Sequence, residues 1–243
     1  MNKSRYIKSL CLGIALLCAG YTVKAQQVET SIFLNGTLPM ANFNDNVAEQ
    51  LEKFGPGSFQ VLDRSQIGKG ASAGLGATAR FGLWFDVGVG ELQPFAEVSF
   101  LWNNSGPSIR KAYDSHADSL NQYPTAPHYF NVPVMLGLKY RYQLMPDLKP
   151  FAELGIGYDF LFITKNGYPK STFYYKPNGG LAWMIGLGTY LGEHVTVSLN
   201  YTGLGSHLIE PTKKSAPDPN EENYTGRTRS SLGTLGLRVG FHF

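Results

Sequence analysis

The chain has 243 residues, 16% charged and with 28 glycines, against roughly 25% charged and about 7% glycine in ordinary soluble domains. Its formal charge of +3 depends on the N-terminus, where removal of residues 1–25 takes away four basic residues and no acidic ones. The remaining 17 basic and 18 acidic residues supply no basic field for nucleic acid.

The first element is read as an export signal. "MNKSRYIK" carries Lys3, Arg5 and Lys8, "LCLGIALLCAG" is a short apolar run, and Val23 and Ala25 occupy the positions that a signal peptidase reads. The run is too short for the roughly 20 residues of a spanning helix, so cleavage after Ala25 is expected. Residues 1–25 are then a signal peptide and 26–243 the mature domain. Cys11 and Cys18, the two cysteines of the chain, leave with the signal. The mature domain is therefore expected to have neither a disulfide nor a thiolate metal site.

Eight segments then alternate between apolar and small or polar residues, the period of a β-strand with two different faces. In chain order they are Val28–Leu38, Ser72–Phe85, Phe95–Asn103, Tyr129–Tyr142, Phe151–Ile163, Leu181–Leu191, Val195–Gly203 and Thr234–Phe243. One face carries residues such as Leu34, Leu75, Phe100, Leu136, Ile156, Ile185, Leu199 and Leu237. The other carries Asn35, Thr78, Ser99, Gly137, Gly155, Gly186, Asn200 and Gly236. Pro133 falls inside the fourth segment, where it removes a ladder hydrogen bond, and a bulge is expected there.

The connections alternate in length. Short ones lie near Asp86–Gly90, Met145–Lys149 and Gly192–His194; long ones lie near Ala41–Gly70, Asn104–Pro127, Lys165–Asn178 and Ser206–Gly226. Eight antiparallel strands with one trimmed end and one elaborate end describe an all-β, up-and-down barrel, closed so that no edge is exposed.

Period alone does not say which face points outward. A secreted lipocalin-like barrel would turn its polar face to water and hold an apolar ligand, and a membrane barrel does the reverse. The polar faces carry about one charge per strand, far below the 25 to 35% of a water-facing surface. Tyr140, Tyr142, Phe241 and Phe243 lie toward the short-turn end, and Trp102, Tyr158, Phe160 and Tyr201 toward the long loops, as two aromatic girdles would. The expectation is an eight-stranded antiparallel transmembrane β-barrel with lipid outside.

With that orientation the inward charges are Arg80, Lys139, Arg141 and Arg238 against Glu29, Glu97, Glu153 and Asp159. Hairpin geometry sets Arg80 near Glu97, and Lys139 or Arg141 near Glu153. Closure of the barrel would bring Glu29 beside Arg238. An eight-stranded interior is just wide enough for side chains, and buried ions must be paired, so a structural ion-pair network plugging the lumen is expected rather than a selectivity filter.

The long loops carry the remaining candidates for chemistry. "YDSHADS" gathers Asp114, Ser115, His116, Asp118 and Ser119, and His207 and Glu210 could approach from the last long loop, the composition of a hydrolase at the extracellular rim. Relay partners normally arrive from separate elements, so a solvated loop is expected. Asp218, Glu221 and Glu222 lack the spacing of a calcium loop, and Asp63 stands where a phosphate loop ending in "GKGAS" needs its first glycine. No catalytic residue, metal or cofactor is expected.

"YFNVPVMLGLKYRY" (Tyr129–Tyr142), with the following "KPFAELGIGYDF", the signal peptide and the final Phe, resembles the PorT-like outer-membrane β-barrel family of Bacteroidetes. The resemblance implies a barrel in the Gram-negative outer membrane, inserted by the barrel-assembly machinery, with Phe243 and Phe241 in the place of the assembly signal; a monomer is expected. It implies no reaction. Its name-giving member makes accessory work in protein secretion or assembly an expectation beside a structural or interaction role for the loops. An unidentified extracellular or secretion-system protein is the expected partner, and a rim enzyme or a lipocalin-like binder are the alternatives.

Overall fold

A computed structural model describes residues 27–44, 70–107, 126–145, 148–168, 171–215 and 228–243. The predicted signal peptide lies outside the described residues, as do Asp63, Asp114, Ser115, His116, Asp118, Ser119, Asp218, Glu221 and Glu222. The strands are β1 (Val28–Met40), β2 (Ala71–Leu83), β3 (Phe85–Asp86), β4 (Glu91–Ser105), β5 (His128–Arg141) and β6 (Leu148–Ile163). They continue with β7 (Asn166–Tyr168), β8 (Ser171–Tyr175), β9 (Asn178–Leu191), β10 (Val195–Ile209), β11 (Pro211–Ser215) and β12 (Thr228–His242).

Eight of them close into a barrel. The order β2-β1-β12-β10-β9-β6-β5-β4 is completed by pairing of β2 with β4, and every ladder is antiparallel. Chain neighbours are therefore sheet neighbours, with one closing contact between the first and last strands. At that seam the Phe243 N–H donates to the Thr30 carbonyl at 2.9 Å.

The faces are reversed relative to a water-soluble barrel. On β1 exposure alternates strictly from Val28 to Met40, with Leu34 69% exposed and Ser31 fully buried. Across the ring Leu136, Ile156, Leu181, Leu187, Leu199 and Leu237 are all more than half exposed, while Arg80, Glu97, Lys139, Glu153 and Arg238 are buried. Apolar side chains outside and ions inside fit a barrel whose solvent is hydrocarbon.

Two local features differ from the sequence pattern. The β4–β5 register is the same on both sides of Pro133, with Val98 opposite Val134 and Leu101 opposite Asn131. There is no bulge; the ladder is interrupted opposite the proline, which has no N–H to give it. The bulge sits instead in β10, where the register against β12 shifts between Gly203 and Gly205. Gly205 has φ +94°, and a Cβ there would stand 2.6 Å from the Leu181 carbonyl oxygen, so the close approach and the left-handed backbone both call for glycine.

The bulge has a chemical result. Before it Thr196, Ser198, Asn200 and Thr202 point inward; after it the inward parity changes to His207 and Ile209. β10 thus runs to Ile209, past its expected end at Gly203, and β12 starts at Thr228, earlier than Thr234. The long connections Lys165–Asn178 and Ser206–Gly226 also contain structure, because β7, β8 and β11 form a second sheet in the order β11-β8-β7.

Candidate functional site

Among the described residues, the charged interior is the largest cluster of ionisable side chains that the strand pattern assembles. It is layered along the barrel. Nearest the short turns, Arg141 on β5 reaches Glu91, its opposite residue on β4, with Nη2 to Oε2 at 2.7 Å. Its guanidinium lies 3.8 Å from the centre of the Trp84 ring, a stacked arrangement that a planar cation favours.

Glu29 is the hub of the next layer. It accepts from Trp84 Nε1 at 3.1 Å, Gln93 Nε2 at 3.0 Å and the Tyr190 hydroxyl at 3.2 Å. His242 Nδ1 stands 3.0 Å away and Lys139 Nζ 4.0 Å away. Lys139 is fully buried and lies over Phe151, its ammonium 4.8 Å from the ring centre, and it donates to the Tyr190 hydroxyl at 3.1 Å. Satisfaction of this kind is what lets an ion remain charged away from water.

At mid-height Arg80 is the centre. Its Nη2 and Nε donate to Glu97 Oε2 at 2.6 and 2.9 Å, and its Nη1 donates to Glu153 Oε2 at 2.6 Å. The rings of Phe95 and Phe33 flank it, their centres 3.9 and 4.9 Å from the guanidinium carbon. Arg238 Nη1 donates to Glu97 Oε1 at 3.2 Å, and Asn200 Nδ2 donates to Glu153 Oε1 at 2.5 Å.

The partners differ in part from those that the hairpins suggest. Arg80 does stand opposite Glu97 in the β2–β4 ladder. Lys139 stands opposite Glu153 on β6, but Glu153 receives Arg80 and Asn200 while the lysine ammonium turns toward Glu29. Arg238 does not meet Glu29. Closure sets Arg238 opposite Asn35, six residues along β1 from Glu29, and at roughly 3.3 Å per residue that separation exceeds the reach of an arginine. It crosses the lumen to Glu97 instead.

Asp159 stays outside this network. Its partner is His207, Nε2 to Oδ2 at 3.2 Å, and the same nitrogen is 2.8 Å from the Leu204 carbonyl. Both residues are fully buried. Above them Phe43, Leu101, Tyr129, Leu161, Leu204, Ile209 and Leu232 form an apolar cluster inside the barrel mouth. His207 is therefore a lumen residue on a strand, not a partner for a loop site.

Several interior residues escape a reading by charge alone: Phe33, Trp84, Phe95, Phe151, Tyr190, Gln93 and His242. Their signal was parity. Trp84 continues the inward series of Thr78, Arg80 and Gly82, and Phe151 precedes Glu153 by two. Aromatics on the polar face are easily assigned to the lipid side, yet here they flank the buried cations.

One string of side chains has the order of a catalytic relay. Thr196 Oγ1 lies 2.9 Å from His242 Nε2, and Nδ1 of the same ring faces Glu29, the hydroxyl, imidazole and carboxylate order of a nucleophile relay. Thr196 is 1% exposed, the Ser31 hydroxyl shares Nδ1 at 2.8 Å, and the string joins the seam of β1, β10 and β12. A substrate has no approach to that hydroxyl, and the arrangement satisfies buried donors. Among the described residues no group of three His, Cys, Asp or Glu is placed to hold a metal ion.

A closed barrel with an apolar exterior and paired ions within defines a transmembrane β-barrel protein. No family model matches the chain, and comparison with curated proteins gives no match. Among solved structures it is similar to the attachment invasion locus protein Ail of Yersinia pestis, at 10% identity and TM-score 0.42, over 90% of this chain and 100% of that one. It is also similar to OprG of Pseudomonas aeruginosa, at 11% identity and TM-score 0.41, over 90% and 97%. A major outer membrane protein of Thermus thermophilus is similar at 12% identity and TM-score 0.45, over 90% and 100%. The barrel is defined here by its own strand order and burial.

Proposed function

We propose that the chain is an integral outer-membrane protein whose barrel is a plugged support, and that it acts through the structures at its long-connection rim. The observation that carries this reading is the interior. Arg80 and Lys139 are buried among aromatic rings and carboxylates, and an eight-stranded ring has little width beyond what such side chains fill. Balanced charge that is tied up in pairs stabilises a wall; a selective path would need ions left free to meet the permeant.

The test is electrical and biochemical together. Full-length protein added to planar bilayers should insert without discrete ion-current steps, and the cellular protein should fractionate with outer membrane and migrate faster in gels before boiling than after. Stable open-channel steps would refute the plug. Recovery in the soluble periplasmic fraction would refute the membrane assignment.

The resemblance of Tyr129–Tyr142 to PorT-like barrels supports a setting in protein secretion or assembly. A deletion strain with normal secretion of exported proteins would remove that setting and leave the structural role of the barrel untouched.

A further inference from the structure

The upper lumen holds a carboxylate that the ion pairing does not account for. In the lower layers four cations are matched by four carboxylates. Asp159 on β6 is fully buried, and among the described residues its ion-pair contact is with His207 alone. That contact is incomplete. His207 Nε2 lies closer to the Leu204 carbonyl, at 2.8 Å, than to Asp159 Oδ2, at 3.2 Å, and neither carboxylate oxygen has a hydrogen-bond partner among the described residues. An imidazolium donates from both nitrogens, and His207 Nδ1 is likewise without a partner.

The neighbouring strand brings a second side chain to the same level. Asn131 on β5 faces Leu161 in the β5–β6 ladder, and Asp159 faces Pro133, so Asn131 and Asp159 are diagonal neighbours on the inner face. Diagonal Cβ atoms stand about 7–8 Å apart, a gap that the two side chains close from both ends. Asn131 is fully buried, with neither amide atom partnered among the described residues. On the other flank Gly180 stands opposite Asp159, and the His207 ring leans over it: a Cβ at Gly180 would lie 3.3 Å from ring Cε1 and Nε2. Ser230, opposite His207 on β12, is buried with its hydroxyl unpartnered.

A carboxylate and a carboxamide left unbonded beneath the apolar cluster of the barrel mouth are costly unless a positive charge joins them. Two properties select the ion. Carboxylate and amide oxygens are hard acceptors, which suit hard cations rather than metals that seek thiolate or imidazole. One carboxylate supplies one negative charge, whereas calcium sites commonly gather several acidic groups.

We propose that Asp159 and Asn131 bind a monovalent metal cation, sodium or potassium, between the ion-pair plug and the apolar mouth. Ser230 Oγ and His207 Nδ1 then bond to water molecules that complete its shell. The inference rests on the plugged reading, since the paired layers below make this a held ion rather than a passing one.

The experiment folds the full chain into detergent micelles in sodium, potassium or choline chloride at equal ionic strength, so that the cation is present before the lumen closes. Thermal midpoints are read by tryptophan fluorescence. Wild type should melt about 2–4 °C higher in sodium or potassium than in choline once the site is mostly filled. D159N and N131L should melt alike in all three salts, and N131L keeps the test open if D159N does not fold. Equal wild-type midpoints in the three salts overturn the proposal, and so does a shift that these variants retain. A larger rise in calcium chloride at the same ionic strength overturns the monovalent assignment. Infrared difference spectra of wild type and D159N give a second reading: a protonated-carboxyl band from Asp159 in sodium chloride would show a proton in place of the metal ion and overturn the site. Planar-bilayer recordings separate the two levels. A silent barrel without cation dependence defeats this site alone, and discrete current steps defeat the plug and with it the held ion.

Discussion

The lower and upper parts of the lumen solve the same problem differently. In the lower part Arg80, Arg238, Lys139 and Arg141 are distributed over Glu97, Glu153, Glu29 and Glu91, with aromatic rings between them. Residues from most of the barrel strands converge on these groups, and removal of Arg80 strands both Glu97 and Glu153. In the upper part Asp159 Oδ2 lies 3.2 Å from His207 Nε2, and both Asp159 carboxylate oxygens, both amide atoms of Asn131, His207 Nδ1 and Ser230 Oγ have no hydrogen-bond partner among the described residues. That pair lies beneath an apolar cluster. The lower layer is a mutual network, whereas the upper one is a single pair that other residues do not depend on.

The largest effect should come from breaking the network at its centre. Arg80→Ala leaves Glu97 and Glu153 short of a cation and should destabilise the barrel by about 3–5 kcal/mol, read as a lower temperature for the gel-migration shift. An unchanged transition would show that the lower ions are independent of one another. Paired removal sharpens the contrast: R80L/E97L still strands Glu153 and Arg238, so it should recover little of that loss.

A middle effect is expected at the bulge that separates the two regions. Gly205→Ala places a Cβ against the Leu181 carbonyl in a left-handed backbone and should cost about 1–3 kcal/mol. Hydrogen exchange should quicken at Ser206–Ile209, beyond the bulge, and leave the amides around Arg80 protected. Equal quickening in both regions would mean that the bulge does not insulate them.

The smallest effect should fall on the upper pair. D159L/H207L replaces a buried carboxyl–imidazole contact beneath the apolar cluster of Leu161, Leu204 and Ile209 with more apolar volume, and exchanges of buried polar pairs for apolar ones are often neutral or stabilising. Its melting should stay within about 1 kcal/mol of wild type. A loss as large as that of Arg80→Ala would place Asp159 in the same network as the lower ions.

What the sequence disclosed follows from the same distinction. Period-two alternation is local, so all eight barrel strands and the inward set of charges could be read from it. The pairing of those charges is not local: Arg238 to Glu97 spans the lumen, and Lys139 turns from its ladder neighbour Glu153 to Glu29. Hairpin neighbours predict such partners only when neither has a better one. The Gly203–Gly205 bulge was hidden for another reason. A single extra residue reverses the face of everything after it, so His207 reads as a loop residue until the register is seen. The proline drew the expectation of a bulge because its missing N–H is visible in sequence, while the tolerance of the β4–β5 ladder for a gap is not. The lysine-bearing second sheet sits in connections that carry no long alternation, and its pairing of β8 with β11 joins segments about forty residues apart in the chain.

The central claim is that the barrel is inside out, and the native tryptophans test it directly. Trp84 is 2% exposed in the lumen, whereas Trp102 and Trp183 are 38% and 48% exposed on the outer face. Single-tryptophan variants, the others changed to Phe, can be reconstituted in vesicles with brominated acyl chains. Fluorescence of Trp102 and Trp183 should be strongly quenched and that of Trp84 nearly unaffected. Strong quenching of Trp84 with little at Trp102 and Trp183 would contradict the account.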